Sequence, residues 1–159
     1  MMIAVSFFLA LAAGPMVQVP VEDPRLPAGE LALVGDTASG SLYFAPGSFE
    51  RSDLPGLVRG TVIVVTPAEP TRPLQVARLW INCRKQVFQV SAGRAYNAEG
   101  VEIGRTAYAP DAPIPAGSPI ATLADAQCAA DPAVASQAFT LLKDWRAALA
   151  RPTTPRTTP

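Results

Sequence analysis

Two cysteines, two lysines, thirteen acidic side chains and no histidine are what this chain offers to chemistry. Without histidine there is no Ser-His or Cys-His nucleophile, no His-ligated zinc and no ordinary general base near neutral pH. Catalysis would fall to carboxylates, a tyrosine, Lys85 or Lys143. The carboxylates placed most suggestively are Glu99 and Glu102, flanking a turn, with Asp111 further along. They could act as acid and base, or hold a cation such as calcium. A glutamate at a turn is ordinarily just solvated. The reading is therefore a non-enzymatic chain with no cofactor and no metal centre.

Cys83 stands at the end of a predicted strand and Cys128 at the end of a short predicted helix. A redox pair would call for C-x-x-C spacing, and a zinc site for further cysteines or histidines; neither is present. In an exported chain the simplest reading is a structural disulfide between Cys83 and Cys128. Closing a loop of about 46 residues, it would stabilise the fold by roughly 4 kcal/mol on the chain-entropy model.

Export is read from the amino terminus. Residues 1–13 hold an apolar run, Ile3 to Leu11, with Ala10-Leu11-Ala12 as a cleavage site, and are expected to be a signal peptide. The run is too short to span a bilayer, which takes about 20 residues. A buried strand or helix is the alternative for this stretch. No cysteine ends the run, so a lipoprotein anchor is not expected. Residues 14–29 carry prolines and read as a linker, and 151–159 as a disordered Thr/Pro tail. Between them, 30–150 is one domain. Thirteen basic residues balance thirteen acidic ones without a long run of either sign. That argues against binding to nucleic acid by bulk electrostatics.

The elements that would position these residues are mostly strands. Leu31 and Leu33, then Leu42 to Phe44, bracket the turn-rich DTASGS at Asp36 to Ser41 and predict a hairpin; Phe49 to Ser52 could add a short strand. Leu57 to Thr66, β-branched and almost continuous, predicts a strand buried on both faces or central in the sheet. Leu74 to Cys83 alternates, with Ala77, Leu79, Ile81 and Cys83 on one face. Gln86 to Ala92 continues extended, and Asn97 and Gly100 mark a turn from which Val101 to Tyr108 returns as the partner strand. The four prolines of Ala109 to Pro119 predict a loop. Ser118-Pro119 starts a short helix ending at Cys128. Val134, Ala138, Leu141, Leu142, Trp145, Ala148 and Leu149 recur at helical spacing and predict a C-terminal helix of about four turns lying on the sheet.

If Cys83 meets Cys128, the odd-numbered face of its strand turns toward that C-terminal helix. Arg78, Trp80, Asn82 and Arg84 then form a basic and aromatic stripe on the opposite face, a combination enriched at protein interfaces. The competing reading makes Trp80 a core residue with arginines at its rim.

The block from Glu30 to Cys128 resembles the surface-adhesin protein E family of bacterial exported proteins. The resemblance is carried by Ile81-Asn82-Cys83, by the Tyr96–Gly100 hairpin, by IPAGSPIATLADAQC at Ile114 to Cys128, and by LYFAPGSFER at Leu42 to Arg51. It implies an antiparallel sheet of about six strands with a helix tethered by the disulfide, adhesion to a protein, and no enzymatic activity. The fold class expected is therefore α+β: an antiparallel sheet with a short helix, a C-terminal amphipathic helix packed on one face and a single disulfide. The function expected is a binding or structural protein, periplasmic or surface-associated, contacting a protein partner or a second copy through the sheet. An accessory subunit of an envelope complex is the alternative.

Overall fold

A computed structural model describes residues 24–106 and 109–152. Its strands are β1 (Leu31–Asp36), β2 (Ser41–Phe44), β3 (Glu50–Arg51), β4 (Leu57–Val65), β5 (Leu74–Asn82), β6 (Val87–Tyr96), β7 (Glu102–Thr106), β8 (Ala109–Pro113) and β9 (Thr140–Leu142). Three helices complete the described residues: α1 (Pro119–Cys128), α2 (Pro132–Ser136) and α3 (Trp145–Ala150). The strands form one antiparallel sheet in the order β7-β6-β5-β4-β2-β1-β9. β3 adds to β4 beyond the end of β2, and β8 adds to β6 beside β7.

The β-branched run became β4, which pairs with β5 along its whole length. Its alternate residues feed two separate cores. Val58 and Val62 join Ala32, Leu42, Phe44, Leu79, Ile81, Leu123 and Ala124 on the face covered by α1, the near face. Ile63 and Val65 join Leu31, Tyr43, Leu74, Val76, Tyr96, Trp145 and Ala148 on the far face, under α3. A strand buried on both sides needs apolar residues at every position, which accounts for its lack of alternation.

Local signals were obeyed where a single side chain decides the geometry. Ser118 caps α1, its hydroxyl accepting from Ala121 N at 3.2 Å, with Pro119 in the first turn. Asn97 Oδ1 accepts from Glu99 N and Val101 N at 3.1 and 2.9 Å, and Gly100 takes φ 80° to close the hairpin between β6 and β7.

Four expectations are corrected. The described sheet has nine strands instead of about six. One of the additions is β8, in the proline-rich stretch expected to be loop. Pro110 and Pro113 are tolerated there because the strand lies at the sheet's edge, where a missing N–H breaks no ladder on the open side.

The four-turn C-terminal helix is the second correction, since the segment divides into α2, β9 and α3. Thr140–Leu142 pairs with Leu31–Leu33 and satisfies the edge of β1. Asp144 Oδ1 then accepts from Ala147 N at 2.9 Å and starts a fresh helix. Val134 and Leu141, counted in the apolar stripe, are 59% and 55% exposed. Third, the odd-numbered face of β5 lies against α1, and the C-terminal helix packs on the even-numbered face.

Fourth, the domain extends past both expected boundaries. Leu26, in the expected linker, packs with the far-face core, and Arg151, in the expected tail, bonds Asp36. The signal-peptide reading at 1–13, the linker at 14–23 and the tail at 153–159 lie outside the described residues. Among the described residues no helix is long and apolar enough to cross a membrane.

Candidate functional site

The far face of the sheet is divided by what covers it. α3 covers the half built from Ile63, Val65, Leu74, Val76 and Tyr96. The other half carries Arg59 and Thr61 on β4 and Arg78 and Trp80 on β5, paired Arg59 with Trp80 and Thr61 with Arg78. Across β6 this row continues through Gln89, opposite Trp80, and Ala92, opposite Arg78. Strand alternation places all of these side chains on one surface.

Trp80 is half-buried, so it is neither the core residue nor the fully presented side chain of the two opposed readings. Its indole N–H donates to Ser91 Oγ at 3.0 Å, and the Arg59 guanidinium carbon stands 5.5 Å from the ring centroid. Arg59 in turn donates through Nε to Glu50 at 2.5 Å. The result is a stacked cation on an aromatic ring, held from below by a carboxylate and a hydroxyl.

Only two of the four stripe residues contribute to it. Arg78 and Trp80 share the surface, whereas Asn82 and Arg84 belong to the turn into β6. Asn82 Oδ1 accepts from Arg84 N and Lys85 N at 3.1 and 3.0 Å, closing that turn. The Arg84 side chain lies across Gly56, where an added Cβ would come within 2.8 Å of its Cγ. Arg59 was missed in the sequence because its strand shows no alternation, and only the register puts it opposite Trp80.

The three carboxylates do not converge. Arg94 donates to Glu102, and Glu99 is exposed on the turn. β7, carrying Glu102, pairs with Gly93–Tyr96, while β8, carrying Asp111, pairs with Val87–Val90. Along β6 that separates Glu102 from Asp111 by roughly 20 Å. Among the described residues no group of three or more His, Cys, Asp or Glu side chains could hold a metal ion.

Cys83 and Cys128 are bonded, with Cα atoms 5.7 Å apart. The bridge pins the C-terminal end of α1 to the end of β5, and Arg51 donates to Ala129 O at 2.7 Å beside it. At its other end α1 rests over Gly35, where a Cβ would meet the Pro119 ring at 3.4 Å. Between α1, the loop before it and the near face lies a cleft of about 450 Å³. Nothing in the linear pattern announced it. Ala77 within β5 and Gly93 within β6 were the trace available, as small residues at neighbouring strand positions.

The chain matches no protein-family model, and no curated protein and no solved structure shows detectable similarity to it.

Proposed function

We propose that this chain is a non-enzymatic exported binding domain, adhesin-like in kind, that meets a protein partner through the far face around Trp80 and Arg59. The observation that carries the reading is the stack of Arg59 on Trp80, on a part of the sheet that α3 leaves uncovered. Tryptophan and arginine are the residues most enriched where protein interfaces concentrate their binding energy, and a half-buried indole held by its neighbours loses little entropy on docking. The disulfide supports export, since such bonds persist in oxidising compartments.

A photo-crosslinking residue in place of Trp80, in cells that make the protein natively, tests the reading against the same residue in place of Val134, which is exposed on α2. A discrete adduct at position 80, absent at position 134 and lost with Arg59→Glu, is expected. An adduct of twice the chain's mass would make the partner a second copy. Equal labelling at both positions, or none at 80, would refute the assignment. Protease treatment of intact cells then separates the cell surface from the periplasm.

A further inference from the structure

The near-face cleft has the composition of a ligand site. Its floor is Leu42, Val62, Val64, Ala77, Leu79 and Val90, with Phe88 and Ile120 at its sides. Among the described residues no charged side chain lines it. Its existence follows from how α1 is fixed. The disulfide draws the helix toward the Cys83 end of β5, where Leu123 and Ala124 fill the core. Toward the start of β5 no described helix lies over the near face, and Val64, Ala77, Phe88 and Val90 remain only half-buried. Apolar walls facing a void forgo the dispersion contacts that a packed core would supply.

The floor is also shaped. Ala77 pairs with Gly93 on β6, and Gly93 with Thr106 on β7. With no side chain at Gly93, Thr106 leans over it, so that an added Cβ there would meet Thr106 Oγ1 at 1.7 Å. This brings a hydroxyl to the wall of an otherwise apolar hollow. Gln75, two residues before Ala77 and on the same face, adds an amide. Neither side chain hydrogen-bonds another described residue, although both are partly withdrawn from water. A donor and an acceptor at the edge of an apolar hollow are the usual means of orienting a small ligand.

We propose that the cleft binds an uncharged, mostly apolar small molecule whose single polar group exchanges hydrogen bonds with Gln75 and Thr106. A cavity of about 150 Å³ accommodates one benzene ring, so the volume here suits a body of roughly three rings or an acyl chain of similar bulk. The absence of charge among the described lining residues selects against carboxylates and ammonium groups, which would lose hydration without gaining a partner.

N-phenyl-1-naphthylamine, a neutral three-ring dye with one N–H, is the probe. Titrated into the full chain, it should show saturable fluorescence enhancement at one dye per chain. Ala77→Phe, which fills the hollow, should weaken binding about tenfold or more, and Gln75→Leu should shift selectivity toward dyes without a polar atom. Should Ala77→Phe fail to fold, methyl NMR of the wild-type chain decides. Val64 and Ile63 are adjacent but lie on opposite faces, so dye must move the Val64 signals and leave those of Ile63 in place. Non-saturable enhancement, retained affinity in folded Ala77→Phe, or shifts centred on Ile63 would each overturn the proposal. No binding by the wild type would overturn it too, as when a segment of the chain itself fills the cleft.

Discussion

Arg151 grips both oxygens of Asp36, Nη1 to Oδ1 at 2.7 Å and Nη2 to Oδ2 at 2.8 Å, across 115 residues of sequence. Ser41 donates to the same carboxylate at 2.5 Å. The pair is mostly withdrawn from solvent, with a quarter of the arginine side chain exposed and less of the aspartate. Hydrogen bonding to Asp36 raises the guanidinium's pKa above its ordinary value, against the opposing effect of burial. A raised pKa on a cation contributes stability that is present at every pH below the ordinary arginine range, so this group adds no pH dependence between about pH 5 and 9. Arg151→Ala should lower unfolding free energy by about 1–3 kcal/mol, because it strands a partly buried carboxylate. Arg151→Lys should recover only part, having no fork to match two oxygens. A double-mutant cycle with Asp36→Ala, read by urea midpoints, measures the coupling. Additive losses would show that the two do not act together.

The two tryptophans should behave oppositely on truncation. Trp145 is 6% exposed and packs over Gly100 and into the far-face core. Its replacement by alanine is expected to cost about 3–5 kcal/mol. Trp80→Ala, on a half-open surface, should cost markedly less while removing the aromatic half of the Arg59 stack. Thermal melts of the two variants give the comparison, and equal losses would make Trp80 a core residue.

Gly60 is the position on β4 where the near face admits no side chain. The Phe49 ring lies over it, 2.3 Å from where a Cβ would stand, and meets Phe44 edge-on with centroids 5.9 Å apart. Gly60→Ala should therefore displace the ring and destabilise by about 1–3 kcal/mol. Gly104→Ala, with nothing within 4 Å, is the matched control in a strand and should be close to neutral. Chemical denaturation of both variants is the measurement.

Replacing both cysteines by alanine should lower stability by about 2–4 kcal/mol, as expected for opening a loop of this length. Loss should be greatest at α1. Hydrogen exchange should find the amides of Leu123 and Ala124 less protected than those of Ile63 and Val65 on the opposite face. Uniform loss of protection would show that the bridge stabilises the sheet as a whole.

These relationships were legible in the sequence to very different degrees. The cysteine pair, the Ser118 cap, the Asn97–Gly100 turn and the β4 run each rest on one residue type at one position, and each was read correctly. What failed needed distant information. Leu141 and Leu142 fit a helix stripe as well as a strand, and only the unsatisfied edge of β1 chooses between them. Arg59 becomes a partner for Trp80 only once the β4-β5 register is known. The cleft comes from the placement of α1, which the disulfide sets and no periodicity records.

The pairing of β9 with β1 also fixes an order of events. A chain synthesised amino-terminus first presents β1 about a hundred residues before the strand that covers its outer edge. The β1-β2-β4-β5 sheet can form while that edge is still unpaired. Closure by β9, and the Arg151 clamp behind it, must wait for the last part of the chain, and contacts of such long sequence separation form slowly. During that interval the exposed edge is a template for another nascent copy. The cost of this architecture thus falls on the interval before the chain is complete, where a chaperone that shields strand edges would matter more than one that shields apolar side chains.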